Sequence, residues 1–216
     1  NNLGVCFIEQ GRYDEAEEQL NRAQEYGAVD SHPTQHSLAS DNLSILYYES
    51  GDYDRALENA KRAIGLQSAI GRRGLINAWS LLGLACLKLG RIGPAREARR
   101  ELRLLRLEGH PLHADLSYMH IFHARMQVTE GNSDAAVQYL ESAAEDYATC
   151  LAITRWRILL EACRIGSRSG SHSTDPSRIL RNLQGTGANP LIQQARSLER
   201  RSRNASLLAR AAARPR

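Results

Sequence analysis

Residues 1–28 read NNLGVCFIEQGRYDEAEEQLNRAQEYGA, and residues 41–66 read DNLSILYYESGDYDRALENAKRAIGL. Laid over each other at Gly11 and Gly51, they place Leu3 on Leu43, Phe7 on Tyr47, Tyr13 on Tyr53, Ala16 on Ala56 and Ala23 on Ala63. Gly90 and Gly131 continue the frame, so successive glycines stand 40, 39 and 41 residues apart. Ala95 and Ala136 follow these two at the same offset as Ala16 and Ala56, and Leu102 and Ala143 at the offset of Ala23. Seven residues before each glycine the side chain is small (Gly4, Ser44, Gly83, Ala124), and eight before stand Leu3, Leu43, Leu82 and His123. A fixed period near forty means one supersecondary unit copied along the chain. Arrays of that kind present a surface rather than enclose a catalytic pocket.

Between the glycines, apolar residues recur at three- and four-residue spacing, which predicts amphipathic helices. Leu3, Cys6 and Phe7 form one stripe that stops at Gly11, a natural residue for a helix C-terminus. A second helix is expected from about Asp14, whose acidic first turn (Asp14, Glu15) suits the positive end of the helix dipole. The second unit repeats this with Leu43, Leu46 and Tyr47 before Gly51, and Ala56, Leu57, Ala60 and Ala63 after it. In the third unit Pro94 falls in a first helical turn, and in the fourth Ser133 and Asp134 offer a cap. Small residues before and after each glycine predict close approach of the paired helices.

This pattern resembles the tetratricopeptide repeat: Leu3, Gly4, Phe7, Gly11, Tyr13, Ala16, Leu20 and Ala23 match its motif, as do Leu43, Tyr47, Gly51, Tyr53, Ala56 and Ala63. The third unit departs at Ile92 and Arg99, the fourth at His123 and Ser133, and the resemblance runs to about residue 148. The period is longer than the family's usual one, as in the long-helix variants of bacterial signalling and regulatory proteins. The resemblance implies an all-α fold, an α-solenoid of antiparallel helix pairs in a right-handed superhelix. It also implies a concave groove lined by the first helix of each pair. Transferred to this chain, the groove positions are Asn1, Val5, Ile8 and Glu9; Asp41, Ile45, Tyr48 and Glu49; Ser80, Leu84, Leu87 and Lys88; and Ile121, Arg125, Val128 and Thr129. Of these, Val5, Asp41, Ile45, Tyr48, Leu84, Leu87, Lys88, Ile121 and Arg125 are the expected binding residues, with Tyr48 and Arg125 as anchors by residue type. Chaperone-binding members of the family grip a carboxylate with Lys and Asn. Here those positions hold Asn1/Val5, Asp41/Ile45, Ser80/Leu84 and Ile121/Arg125, so that clamp is absent.

Beyond residue 148 the register weakens. A helix is expected from Thr149 to Ile165, then a polar loop over 166–176, then a short helix capped by Asp175-Pro176 and running to Leu183. The glycines of GTGANP (185–190) break the chain again before a last helix from Pro190. The expected division is four repeat-like pairs over 1–148, a divergent fifth pair over 149–188, and a basic capping helix over 189–216. In that last helix Leu191, Ala195, Leu198, Ala205 and Leu208 form a stripe predicted to pack inward, while Arg196, Arg200, Arg203 and Arg210 face solvent.

The composition fits an array with a core: of 216 residues, 42% are hydrophobic and 24% charged. No window approaches a membrane span. The net charge of +4 is uneven, with nine arginines against Glu199 over residues 177–216, leaving the rest of the chain net acidic. Neither that tail nor Arg91–Arg106 interleaves aromatics, so both read as solvated faces and nucleic acid is not the expected partner. Cys6, Cys86, Cys150 and Cys163 lack metal or redox spacing and read as packing residues. His110, His113, His120 and His123 would bring three imidazoles to one helix face, a candidate zinc set, yet no carboxylate or thiol stands at ligand spacing. No phosphate-binding loop, nucleophile elbow or facing carboxylate pair is present, which argues against an enzyme and against a cofactor. The chain opens at Asn1 inside a repeat without an initiator methionine, and so reads as a fragment of a longer protein, about which the absent targeting signal says nothing; a cytoplasmic location is the expectation. The function expected is a non-catalytic scaffold that holds a protein or peptide segment, including one from its own parent chain. The alternative is an effector-sensing arm of a bacterial transcription regulator or signalling ATPase, and a weaker third reading is a metal-dependent activity at the histidines.

Overall fold

The structure, a computed structural model, describes residues 1–29, 32–70, 74–106, 116–147, 152–169 and 175–212. Among these residues there are eleven α-helices and no strand. They are α1 (Asn2–Gln10), α2 (Tyr13–Val29), α3 (Pro33–Ser50), α4 (Tyr53–Ile70), α5 (Leu75–Lys88) and α6 (Ile92–Arg106). After these come α7 (Ser117–Thr129), α8 (Ser133–Glu145), α9 (Ala152–Ser169), α10 (Pro176–Leu183) and α11 (Asn189–Ala212). The chain divides into two compact units, Asn1–His123 and Ala124–Arg216, with the division inside α7. In the first unit α1 to α6 pack successively, each on the next; in the second, α8 packs on α9, α9 on α10, and α11 on both α9 and α10. The fold is an all-α, tetratricopeptide-like array of helix pairs.

The periodic glycines end the first helix of each pair. Gly11, Gly51, Gly90 and Gly131 have φ of 75°, 93°, 71° and 85°, the left-handed region that a side chain disfavours. At three of them the following amide reaches back five residues: Arg12 N–H to the Phe7 carbonyl (2.9 Å), Arg91 to Cys86 (2.8 Å) and Asn132 to Gln127 (2.9 Å). Together with the glycine N–H bonds to Ile8, Leu87 and Val128, this satisfies carbonyls that the helix end would leave bare. At the fourth, the Gly51 amide reaches the Tyr47 and Tyr48 carbonyls. The cap before α8 differs from the expectation. Asn132, not Ser133, is the capping residue, and it makes no side-chain cap bond, whereas Asp134 lies in the first turn. Asp175 does cap α10, accepting from the Ser177 amide at 2.9 Å.

The small residues seven before each glycine sit where helices touch. A Cβ on Gly83 would stand 2.3 Å from Cζ of Phe122, and one on Gly4 would stand 2.6 Å from Cγ of Leu20. At the same position of the second unit, the Ser44 hydroxyl donates to the Ala56 carbonyl of α4 (3.1 Å). Around these contacts Ala16, Leu20, Leu43, Leu46, Ala56, Ala60, Leu81 and Ala95 are buried. On α1 the apolar stripe is not the buried face: Leu3 is 53% exposed and Cys6 is exposed, while Gly4 and Ile8 face inward. The equivalent Leu43 lies between helices, but no described helix covers that face of α1.

In the second unit Ile158, Leu160, Ile179, Leu183, Leu191, Ala195 and Leu198 share one core. The α11 stripe departs from the expectation at Ala205. Leu191, Ala195 and Leu198 are buried, Ala205 is exposed, and the Leu208 side chain lies outside the described residues. Arg196, Arg200 and Arg203 are exposed, with Arg203 on Glu199 at 2.9 Å.

Candidate functional site

The groove positions transferred from the repeat motif do not behave alike. α3 and α5 each have more than one buried flank, because they meet their own partner helix and helices of the neighbouring pairs. Leu84 has no exposed surface, Ile121 is 6% exposed, and Ser80 is buried with its hydroxyl donated to the Ile76 carbonyl at 2.6 Å. These residues are core, not lining. Val5, Ile45, Tyr48 and Leu87 are half-buried, and Lys88 is exposed.

Arg125 is not available as an anchor in this conformation. It belongs to the second unit, where its Nε and Nη2 donate to the Glu161 carboxylate at 2.7 and 3.2 Å. The two side chains are 15% and 7% exposed, and Arg164 donates to the same carboxylate at 2.9 Å. A buried pair of this kind, hydrogen-bonded on both oxygens, holds α7 to α9.

In the first unit the structure assembles an aromatic and acidic cluster around Tyr48. Its ring meets Tyr118 edge-on (centroids 6.1 Å apart) and lies tilted on Tyr53 at 5.8 Å. The Tyr118 hydroxyl donates to Glu49 at 2.9 Å, and the Lys88 ammonium stands 5.3 Å from the centre of the Tyr53 ring. Beside them the Tyr13 hydroxyl is pushed up to about 12, first by burial and then by the charges of Glu49 and Glu9. Tyr13 and Tyr53 hold the same repeat position, and Glu9, Glu49 and Lys88 share another, so periodicity builds the cluster.

Tyr118 is the member that the motif positions miss. It lies thirteen residues before Gly131, as Asn77 lies thirteen before Gly90, one turn above the transferred set. Both residues reach back to α3: Asn77 Nδ2 donates to Asp41 Oδ2 at 2.9 Å. A polar or aromatic residue at this register in two units was the available signal. Asp41 itself is 8% exposed, its Oδ1 has no hydrogen-bond partner, and burial lifts its carboxyl to about 6 against the opposing bond from Asn77. At the outer end, Asn1 Nδ2 donates to Gln35 Oε1 (3.1 Å) and Asn1 Oδ1 accepts from Asn42 (3.5 Å).

Of the histidines, His120 is buried and His123 half-buried; His110 and His113 lie outside the described residues. Among the described residues no three His, Cys, Asp or Glu side chains stand together as metal ligands. Cys86 is buried and Cys6 exposed, the half-buried Cys163 has its thiol pushed up to about 12 by burial, and Cys150 lies outside the described residues. Among the described residues no helix is long and apolar enough to cross a membrane. The tyrosine cluster brings together rings with polar ends, carboxylates that accept, and one ammonium.

Residues 1–69, which take in α1 to α3 and nearly all of α4, match the family model described as Tetratricopeptide repeat. No curated protein matches the chain. Tetratricopeptide repeats are in general protein-interaction modules and typically non-catalytic scaffolds. With the glycine caps, the tight helix contacts and this match in agreement, residues 1–69 form a tetratricopeptide repeat segment.

Proposed function

We propose that the first unit is a recognition surface for a protein or peptide segment, held along the face shared by α1, α3 and α5. The observation that carries this reading is the pair of half-buried tyrosines Tyr48 and Tyr53, backed by the buried Tyr118, with Glu49 and Lys88 at their edge. Tyrosine supplies apolar area and a polar end at little entropic cost, and for that reason is enriched in interfaces. Val5, Ile45 and Leu87 add half-buried apolar area along the same face. An amphipathic helix or extended segment would set its apolar side on these residues and its polar side on Glu9, Glu49 and Lys88. The segment comes from a separate protein or from the parent chain.

The test is affinity capture from the source organism with wild-type protein, Tyr48→Ala, and the distant surface variant Arg96→Gln. Loss of one defined partner with Tyr48→Ala, corresponding to about 2 kcal/mol or more, is the expected result. A partner retained equally by all three proteins places recognition elsewhere.

A further inference from the structure

A cleft of about 420 Å³ lies between α4 and α6, within the first unit. Its floor is Leu57 from α4 and Trp79, Leu82 and Cys86 from α5; Lys61 and Arg91 stand at its mouth. At 100° per residue, Trp79, Leu82 and Cys86 cluster on one face of α5, more than about 100° round the helix from Leu87 and Lys88. The cleft is therefore separate from the tyrosine cluster and independent of the function proposed for it.

The lining selects a type of ligand. The floor is apolar and aromatic, with Leu57, Leu82 and Cys86 buried. The cations converge on it: burial pushes the Cys86 thiol up while Arg91, and then Lys61, pull it the other way. Arg91 shares its charge with Asp54 at 3.1 Å, whereas Lys61 pairs with no carboxylate among the described residues. Glu97 on the rim repels a second negative charge. An apolar floor, a free ammonium and one opposing carboxylate suit a monoanion with an apolar body, in a volume typical of small-molecule sites.

We propose that this cleft binds a small apolar monocarboxylate, with its body against Trp79 and Leu82 and its carboxylate at Lys61 and Arg91. Aryl and acyl carboxylates share this chemistry, and the experiment separates them. Titration calorimetry of the whole chain uses 2-naphthoate and decanoate as probes, each beside its uncharged alcohol. Quenching of tryptophan emission provides a second readout. The expected result is saturable binding of at least one carboxylate, about tenfold or more tighter than its alcohol. Lys61→Gln should remove most of that preference, while Tyr48→Ala and Lys88→Gln leave it unchanged. Because Lys61 is exposed, its substitution should preserve the circular dichroism spectrum. Naphthoate as the tighter ligand assigns an aryl body, and decanoate an acyl one. The proposal is overturned by absence of carboxylate binding below about 1 mM, by alcohols that bind as well as the acids, or by undiminished affinity in Lys61→Gln.

Discussion

Asp41 shows how one atom can set a pH dependence. Asp41 occupies a repeat position that Ser80 fills in the next unit, but its carboxylate is buried with one oxygen bonded to Asn77 and the other without a partner. Burial raises the folded-state carboxyl to about 6, above its value in an unfolded chain. The folded state therefore holds the proton over a range in which the unfolded state has lost it. Stability is highest below the unfolded value, near pH 4, and falls as pH rises toward about 6. Asp41→Asn keeps an acceptor for Asn77 and removes the charge. We expect it to raise stability at pH 8 by up to about 3 kcal/mol, with the gain gone by about pH 4. Urea melts at both pH values check this; an equal effect at each would rule out the ionised carboxylate as the cause.

Helices differ in how much of their fate is local. The first helix of each pair was legible because its stop is a backbone event: a glycine at positive φ, repeated in register, marks the helix end without reference to any neighbour. The short α10 was equally legible, since Asp175 and Pro176 fix its start without help from tertiary contacts. The exposed face of α1, the core position of Leu84 and the pairing of Arg125 were not legible. All three depend on what packs against a helix, and spacing within the helix carries no such information. Tyr118 was missed for a related reason, because its partners Tyr48 and Glu49 lie about seventy residues away. In α11, Leu191, Ala195 and Leu198 share the core with Ile179 and Leu183. Deleting residues 190–216 exposes that core, at about 25 cal/mol per Å². A lowered melting temperature and concentration-dependent light scattering are expected, whereas Arg196→Gln and Arg200→Gln should stay within about 0.5 kcal/mol of wild type. An equally stable truncation would make α11 a dispensable extension.

Across the molecule, each compact unit has a core of its own, and the side chains that give the first unit its character lie on two faces of one array. Repeats contact mainly their neighbours, so substitutions on one face need not disturb the other. Of the 28 basic residues only Lys61 and Lys88 are lysines, and the structure sets one at the mouth of the cleft and the other over the Tyr53 ring. An amine-selective isotope label would thus report on both faces without mutation. Reductive methylation with ¹³C-formaldehyde should give two resolved lysine signals. The Lys88 signal should be displaced upfield by the ring current and return toward the random-coil position in Tyr53→Leu. Two lysine signals that both ignore Tyr53→Leu would contradict the ring contact. Scarcity of one residue type turns an ordinary array into a molecule with a separate spectroscopic channel for each of its surfaces.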